Sequence, residues 1–183
     1  MRVVIYDDDR APEQAFLRRS WQAGCALQKA LGLVDETFAA STWEQAFAWL
    51  TTRPEKLTSI QYWGHGHPGE VLMAREPMQL SDWAAVKPLI TRESLVWFRT
   101  CSTFQGEKGH AFSEALSTLL DCTIAGHTRI IGPLQGGLHT RRPHEPASWP
   151  IEETELPPSR VPPWLRWGNN TIVCLTTQVP AGW

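Results

Sequence analysis

Four short, largely apolar runs, each stopped by charge, glycine or histidine, constrain the fold of this chain more than any other feature. Val3-Val4-Ile5-Tyr6 runs into Asp7-Asp8-Asp9, and Thr58 to Trp63 into Gly64-His65-Gly66-His67-Pro68-Gly69. Ser94 to Phe98 runs into Arg99-Thr100-Cys101, and Cys122 to Ala125 into Gly126-His127. Such runs read as strands buried on both faces. Between them lie segments of helical period. Pro12 to Leu31 can set Phe16, Leu17, Ala23, Gly24, Leu27 and Leu31 on one face. Ser41 to Glu44 has capping-box spacing before Ala46, Phe47 and Leu50; Ser81 opens a helix with Trp83, Val86 and Leu89; Phe112 to Leu120 forms another. Strands alternating with helices predict an α/β fold: a mainly parallel sheet, helices on both faces, and the strands ending near Tyr6, Trp63, Phe98 and Ala125 as parallel neighbours.

The 183 residues suit one domain, 1–183. Within it, 140–168 is read as an irregular proline-rich excursion, since half of the fourteen prolines fall between 143 and 163. Thr171 to Leu175 returns as a final strand. The segment 64–69 reads as loop, with Glu70 to Met73 one arm of a hairpin.

Composition narrows function by exclusion. A net charge of -2 offers no basic footprint for nucleic acid. The N-terminus reaches Asp7 too soon for a signal peptide and no stretch is long enough to span a membrane, so a soluble, cytoplasmic protein is expected, with neither nucleic acid nor membrane as partner. Cys25, Cys101, Cys122 and Cys174 lack CxxC spacing and read as free thiols.

Chemistry gathers at the strand ends, where ligands bind in open α/β sheets. Asp7 to Asp9, His65, Cys101 and His127 all fall there. A thiol becomes a nucleophile once deprotonated, and a neighbouring histidine can take its proton and later protonate a leaving amine. A backbone N–H at an unobstructed glycine such as Gly66, or at Cys101 itself, can stabilise the oxyanion.

Trp63-Gly64-His65-Gly66-His67-Pro68-Gly69 resembles the strand-end His-Gly of caspase-like cysteine peptidases, and Phe98-Arg99-Thr100-Cys101-Ser102 resembles their apolar strand ending in the nucleophile. The order, with His65 upstream of Cys101 by 36 residues, is in keeping with that group. The likeness is greatest to bacterial caspase-like domains of the CHAT and His-Gly-x-Pro-Gly type, with Gly109 and the helix over Phe112 to Leu120 following the cysteine. It covers roughly residues 44 to 132. It implies a caspase-like fold and a cysteine endopeptidase without cofactor, acting on a protein or peptide substrate, with a regulatory partner protein a further expectation. Cys101 is then the nucleophile, His65 the general acid and base, preferred over His67, and Gly66 an oxyanion donor. Asp7, Asp8 and His127 are substrate-binding candidates. An aspartate here would favour cleavage after Arg or Lys, with Arg141-Arg142 a self-processing site.

Two rivals stand beside this reading. His65, His67, Cys101 and His127 include zinc-binding side chains, although the x-Gly-x spacing is not that of a zincin helix. The same fold could also serve as a non-catalytic interaction module.

Overall fold

Burial and backbone pairing build an α/β sheet from the apolar runs. The computed structural model describes residues 1–153 and 159–183. Strand β1 (Arg2–Asp7) leads through a 3-10 turn at Pro12–Gln14 into helix α1 (Ala15–Ala30). Then follow β2 (Glu36–Ala40), α2 (Trp43–Thr51), β3 (Leu57–Trp63), and the short strands β4 (His65–His67), β5 (Glu70–Met73) and β6 (Glu76–Pro77). After 3-10 turns at Leu80–Ala85 and Lys87–Leu89 come β7 (Ile90–Arg99), α3 (Gly106–Leu120), β8 (Thr123–His127), β9 (Leu134–Gln135), β10 (Leu138–Arg141) and β11 (Ile172–Val173). The central sheet has the order β10-β8-β7-β3-β1-β2. Only β10 runs antiparallel to its neighbour. The four strands expected as parallel neighbours are β1, β3, β7 and β8, side by side as anticipated.

Alternation along each strand divides the core. Val3, Ile5, Ile60, Tyr62, Val96, Phe98 and Ile124 face the side covered by α2 and α3, through Phe47, Leu50, Leu116 and Leu120. Val4 and Trp63 face the other side, where Cys25 and Trp21 of α1 pack. Trp97, Ala125, Leu138 and Ile172 form a third cluster.

Several expectations need correction. Helix α1 is rotated from its predicted setting: Phe16 and Leu31 are 79% and 59% exposed, while Cys25 and Gln28 are buried. Gly24 of the expected face does meet the sheet: a Cβ there would stand 2.8 Å from Trp63 Cζ3, so the indole lies against the helix at its smallest residue. Gln28 also donates to Cys174 O at 3.2 Å. The segment 64–69 is not wholly loop. His65–His67 pairs with Glu70–Met73 across Pro68-Gly69, with Gly69 at the positive φ of +77° that suits a type II turn. The helix predicted from Ser81 is a pair of 3-10 turns that meet at Val86, the second carrying Pro88 in its first turn. β2, β9 and β10 were not expected. The final strand shrinks to Ile172–Val173 and pairs with β9 outside the main sheet. Within 140–168, Thr140 and Arg141 belong to β10, Trp149 is buried and stacks on Phe104 (centroids 5.2 Å apart), and residues 154–158 lie outside the described residues.

Candidate active site

The register of the central sheet brings the two chemical motifs to one edge. β3 and β7 are parallel neighbours whose last pair is Trp63 with Arg99. His65 and Cys101 each lie two residues further on. His65 opens the separate β4 ladder and Cys101 stands in the turn that leaves β7, so both are delivered to the same end of neighbouring strands. The backbone between them is close: a Cβ at Gly66 would fall 2.4 Å from Thr103 Oγ1, 2.8 Å from Thr100 Cβ and 2.9 Å from Cys101 O. Only glycine fits there without displacing the cysteine loop.

That loop is held by its own polar groups. The hydroxyls of Thr100 and Thr103 hydrogen-bond to each other. Ser102 N–H donates to Arg129 O at 3.0 Å, Phe104 N–H to His127 O at 2.9 Å, and Gly69 N–H to Thr103 O at 3.0 Å. Ser102, directly after the cysteine, has a φ of +54°, a left-handed backbone that a non-glycine residue adopts at some cost. Cys101 is partly exposed, with Sγ 3.9 Å from Ile131 O.

His65 is half-buried. Its Nε2 lies 2.9 Å from Gln14 Oε1, and its ring meets the edge of Trp21 with centroids 5.2 Å apart. Burial lowers its pKa, against the raising influence of Asp7 and Asp9; His67 and Arg75 lower it further. The ring is therefore neutral near pH 7, the form that can accept a proton. His67 is exposed.

The remaining candidates sit differently. Asp7 is fully buried on the α2/α3 face; one carboxylate oxygen accepts from Asp9 N–H at 3.0 Å and the other from Ala74 N–H at 3.1 Å. Burial raises its pKa in spite of these bonds. It braces the first strand end to the β5–β6 hairpin and presents no surface to a substrate. Asp8 is partly exposed and pairs with Arg10 (3.0 Å) and Arg18 (3.6 Å). His127 lies inside β8 rather than beyond it, fully buried, accepting from Trp97 Nε1 at 3.3 Å and donating through Nδ1 to Gly136 O at 3.1 Å. Burial pushes its pKa down to about 3, so it is a neutral core residue remote from any substrate surface. Arg141 is also buried, within β10 and 3.4 Å from Glu114, which shields the Arg141-Arg142 bond from processing in the folded chain.

Burial pushes the thiols of Cys25 and Cys122 up to about 12, which marks them as packing residues. Gln14, Trp21, Thr100 and Thr103 were not foreseen at the site. Only the short spacing of Thr100 and Thr103 about Cys101 could have hinted at a braced loop. Among the described residues no three of His, Cys, Asp or Glu converge as a metal-binding group, and no helix is long and apolar enough to cross a membrane. Comparison with protein-family models, with curated proteins and with solved structures found no match.

Proposed function

We propose that this chain is a caspase-like cysteine endopeptidase with Cys101 as nucleophile and His65 as general acid and base. The observation that supports it best is the delivery of the two residues to the same end of the parallel neighbours β3 and β7, with the Gly66 backbone close against the cysteine loop. In this reading His65 takes the thiol proton, and the Cys101 thiolate adds to a peptide carbonyl. The tetrahedral oxyanion accepts hydrogen bonds from backbone N–H groups at Gly66 and Cys101. Collapse expels the amine, which receives the proton from His65, and water then hydrolyses the acyl-enzyme with His65 as base.

Cleavage after basic residues, expected from Asp7, has no support in that residue's sealed surroundings. Asp8 directly follows β1 and is partly exposed, and selection of Arg or Lys would fall to it, in competition with Arg10 and Arg18. Profiling with a peptide library tests both statements. The dyad requires cleavage by the native chain that is lost in Cys101→Ala and His65→Ala. Asp8→Asn should weaken any preference for basic residues while Asp7→Asn leaves it in place. No cleavage of any peptide by the native chain would favour a non-catalytic module.

A further inference from the structure

Gln14 has no role in the sequence-level account, yet it is the side chain that touches the candidate base. We propose that Gln14 is a positioning residue for His65, its amide oxygen holding the Nε2–H tautomer so that the Nδ1 lone pair is turned toward the Cys101 side; this rests on the peptidase reading above.

Three observations support it. The first is the contact itself, 2.9 Å between Nε2 and Oε1. The second is direction. Gln14 ends the 3-10 turn before α1, and α1 packs on β1 and β2, on one flank of β3. Cys101 follows β7, on the other flank. The two nitrogens of an imidazole point nearly away from each other, so a ring tethered through Nε2 on the α1 flank offers Nδ1 toward the opposite one. The third is confinement: Trp21, also from α1, packs against the ring at an interplanar angle of 81°, which limits its rotation. The charged and titratable groups that act on the ring are Asp7 and Asp9 from the first strand end, His67 on its own strand, and Arg75 beyond β5. None of them supplies the acceptor that a neutral Nε2–H needs; Gln14 does. An amide oxygen suits this role, because it fixes the tautomer without adding the charge that would favour imidazolium.

The test uses the full chain with 15N-labelled histidine, in native, Gln14→Leu and Gln14→Glu forms, with His65→Ala to assign the resonances. The native ring should be in the Nε2–H form with an exchange-protected ring proton. That protection should be lost in Gln14→Leu. Gln14→Glu keeps an acceptor and adds a charge, and should raise the pKa of His65 by about one unit or more. In the peptidase assay Gln14→Leu should lower kcat about tenfold with little change in KM, and Gln14→Glu should restore part of the loss at a shifted pH optimum. An Nδ1–H ring in the native chain, or identical His65 titrations in all three forms, would overturn the assignment. These spectra do not depend on turnover. A native chain that cleaves nothing would overturn the peptidase reading alone, and the spectra would still decide whether Gln14 holds His65.

Discussion

At the scale of single residues, burial decides which histidines and cysteines are available for chemistry. His127 stays neutral in the folded chain down to about pH 3, against an ordinary value of 6.5. Between those values the unfolded chain binds the proton and the folded chain does not, so stability rises with pH across that window. From pH 7 to pH 5 the folded state should lose about 2 kcal/mol through this residue. The lowered pKa values of His65 and His110 act in the same direction. Urea midpoints at the two pH values measure the effect; the difference should shrink in His127→Gln, and an unchanged difference would contradict the assignment. The sequence placed His65, Cys101 and His127 alike at strand ends. It could not tell them apart, because one residue of displacement along a strand separates a core position from a site position, and strand ends are the least legible feature of an apolar run.

At the scale of elements, the site depends on a close approach that only glycine permits. In Gly66→Ala the new methyl would meet both Thr103 Oγ1 and the Cys101 carbonyl inside 3.0 Å, and the cysteine loop would have to shift. Cleavage should fall at least about tenfold, with destabilisation of about 1–3 kcal/mol, the usual cost of overpacking. A Gly66→Ala protein with native turnover would contradict the tight apposition of β4 and the cysteine loop. The Pro68-Gly69 turn was visible in the sequence, and with it the hairpin arm of β5. The short strand β4 was not, because glycine and proline signals outweigh a three-residue alternation. Helix α1 teaches a similar lesson. Of its expected apolar face only Gly24 lies against the sheet, under Trp63, while Phe16, Leu27 and Leu31 are exposed. Periodicity identified a helix there but not the face that packs, since that choice belongs to the partner surface.

At the scale of the whole molecule, Arg99 joins the cysteine strand to the C-terminal segment. Its guanidinium is fully enclosed, and burial pushes its pKa down to about 9. Nε donates to Gln61 Oε1 at 2.8 Å, Nη1 to Gln135 Oε1 at 2.6 Å and to Cys174 O at 3.1 Å, and Nη2 to Thr176 O. It also lies 3.8 Å from the centroid of the Trp97 ring. Removing the cation takes this donor from Gln135 Oε1 and Thr176 O, while Gln61 Oε1 and Cys174 O keep Trp63 Nε1 and Gln28 Nε2. Arg99→Met should therefore cost about 3 kcal/mol or more in a denaturant titration, and loosen residues 172–176 toward limited proteolysis. A loss below about 1 kcal/mol would show that the clamp contributes little. The parallel order of β1, β3, β7 and β8 was legible because each strand carries its own apolar run. The return of residues 172–176 onto β9 and Arg99 was not, because two-residue strands have no period and the contact spans more than seventy positions.

The central claim, that Cys101 is a nucleophile served by His65, is tested most directly by the alkylation rate of each cysteine with iodoacetamide at pH 7 in the folded chain, mapped by mass spectrometry in native and His65→Ala proteins. The account predicts that Cys101 reacts well ahead of Cys25 and Cys122, and that His65→Ala slows Cys101 alone. Equal labelling of Cys101 and Cys25, or a Cys101 rate indifferent to His65→Ala, would contradict it.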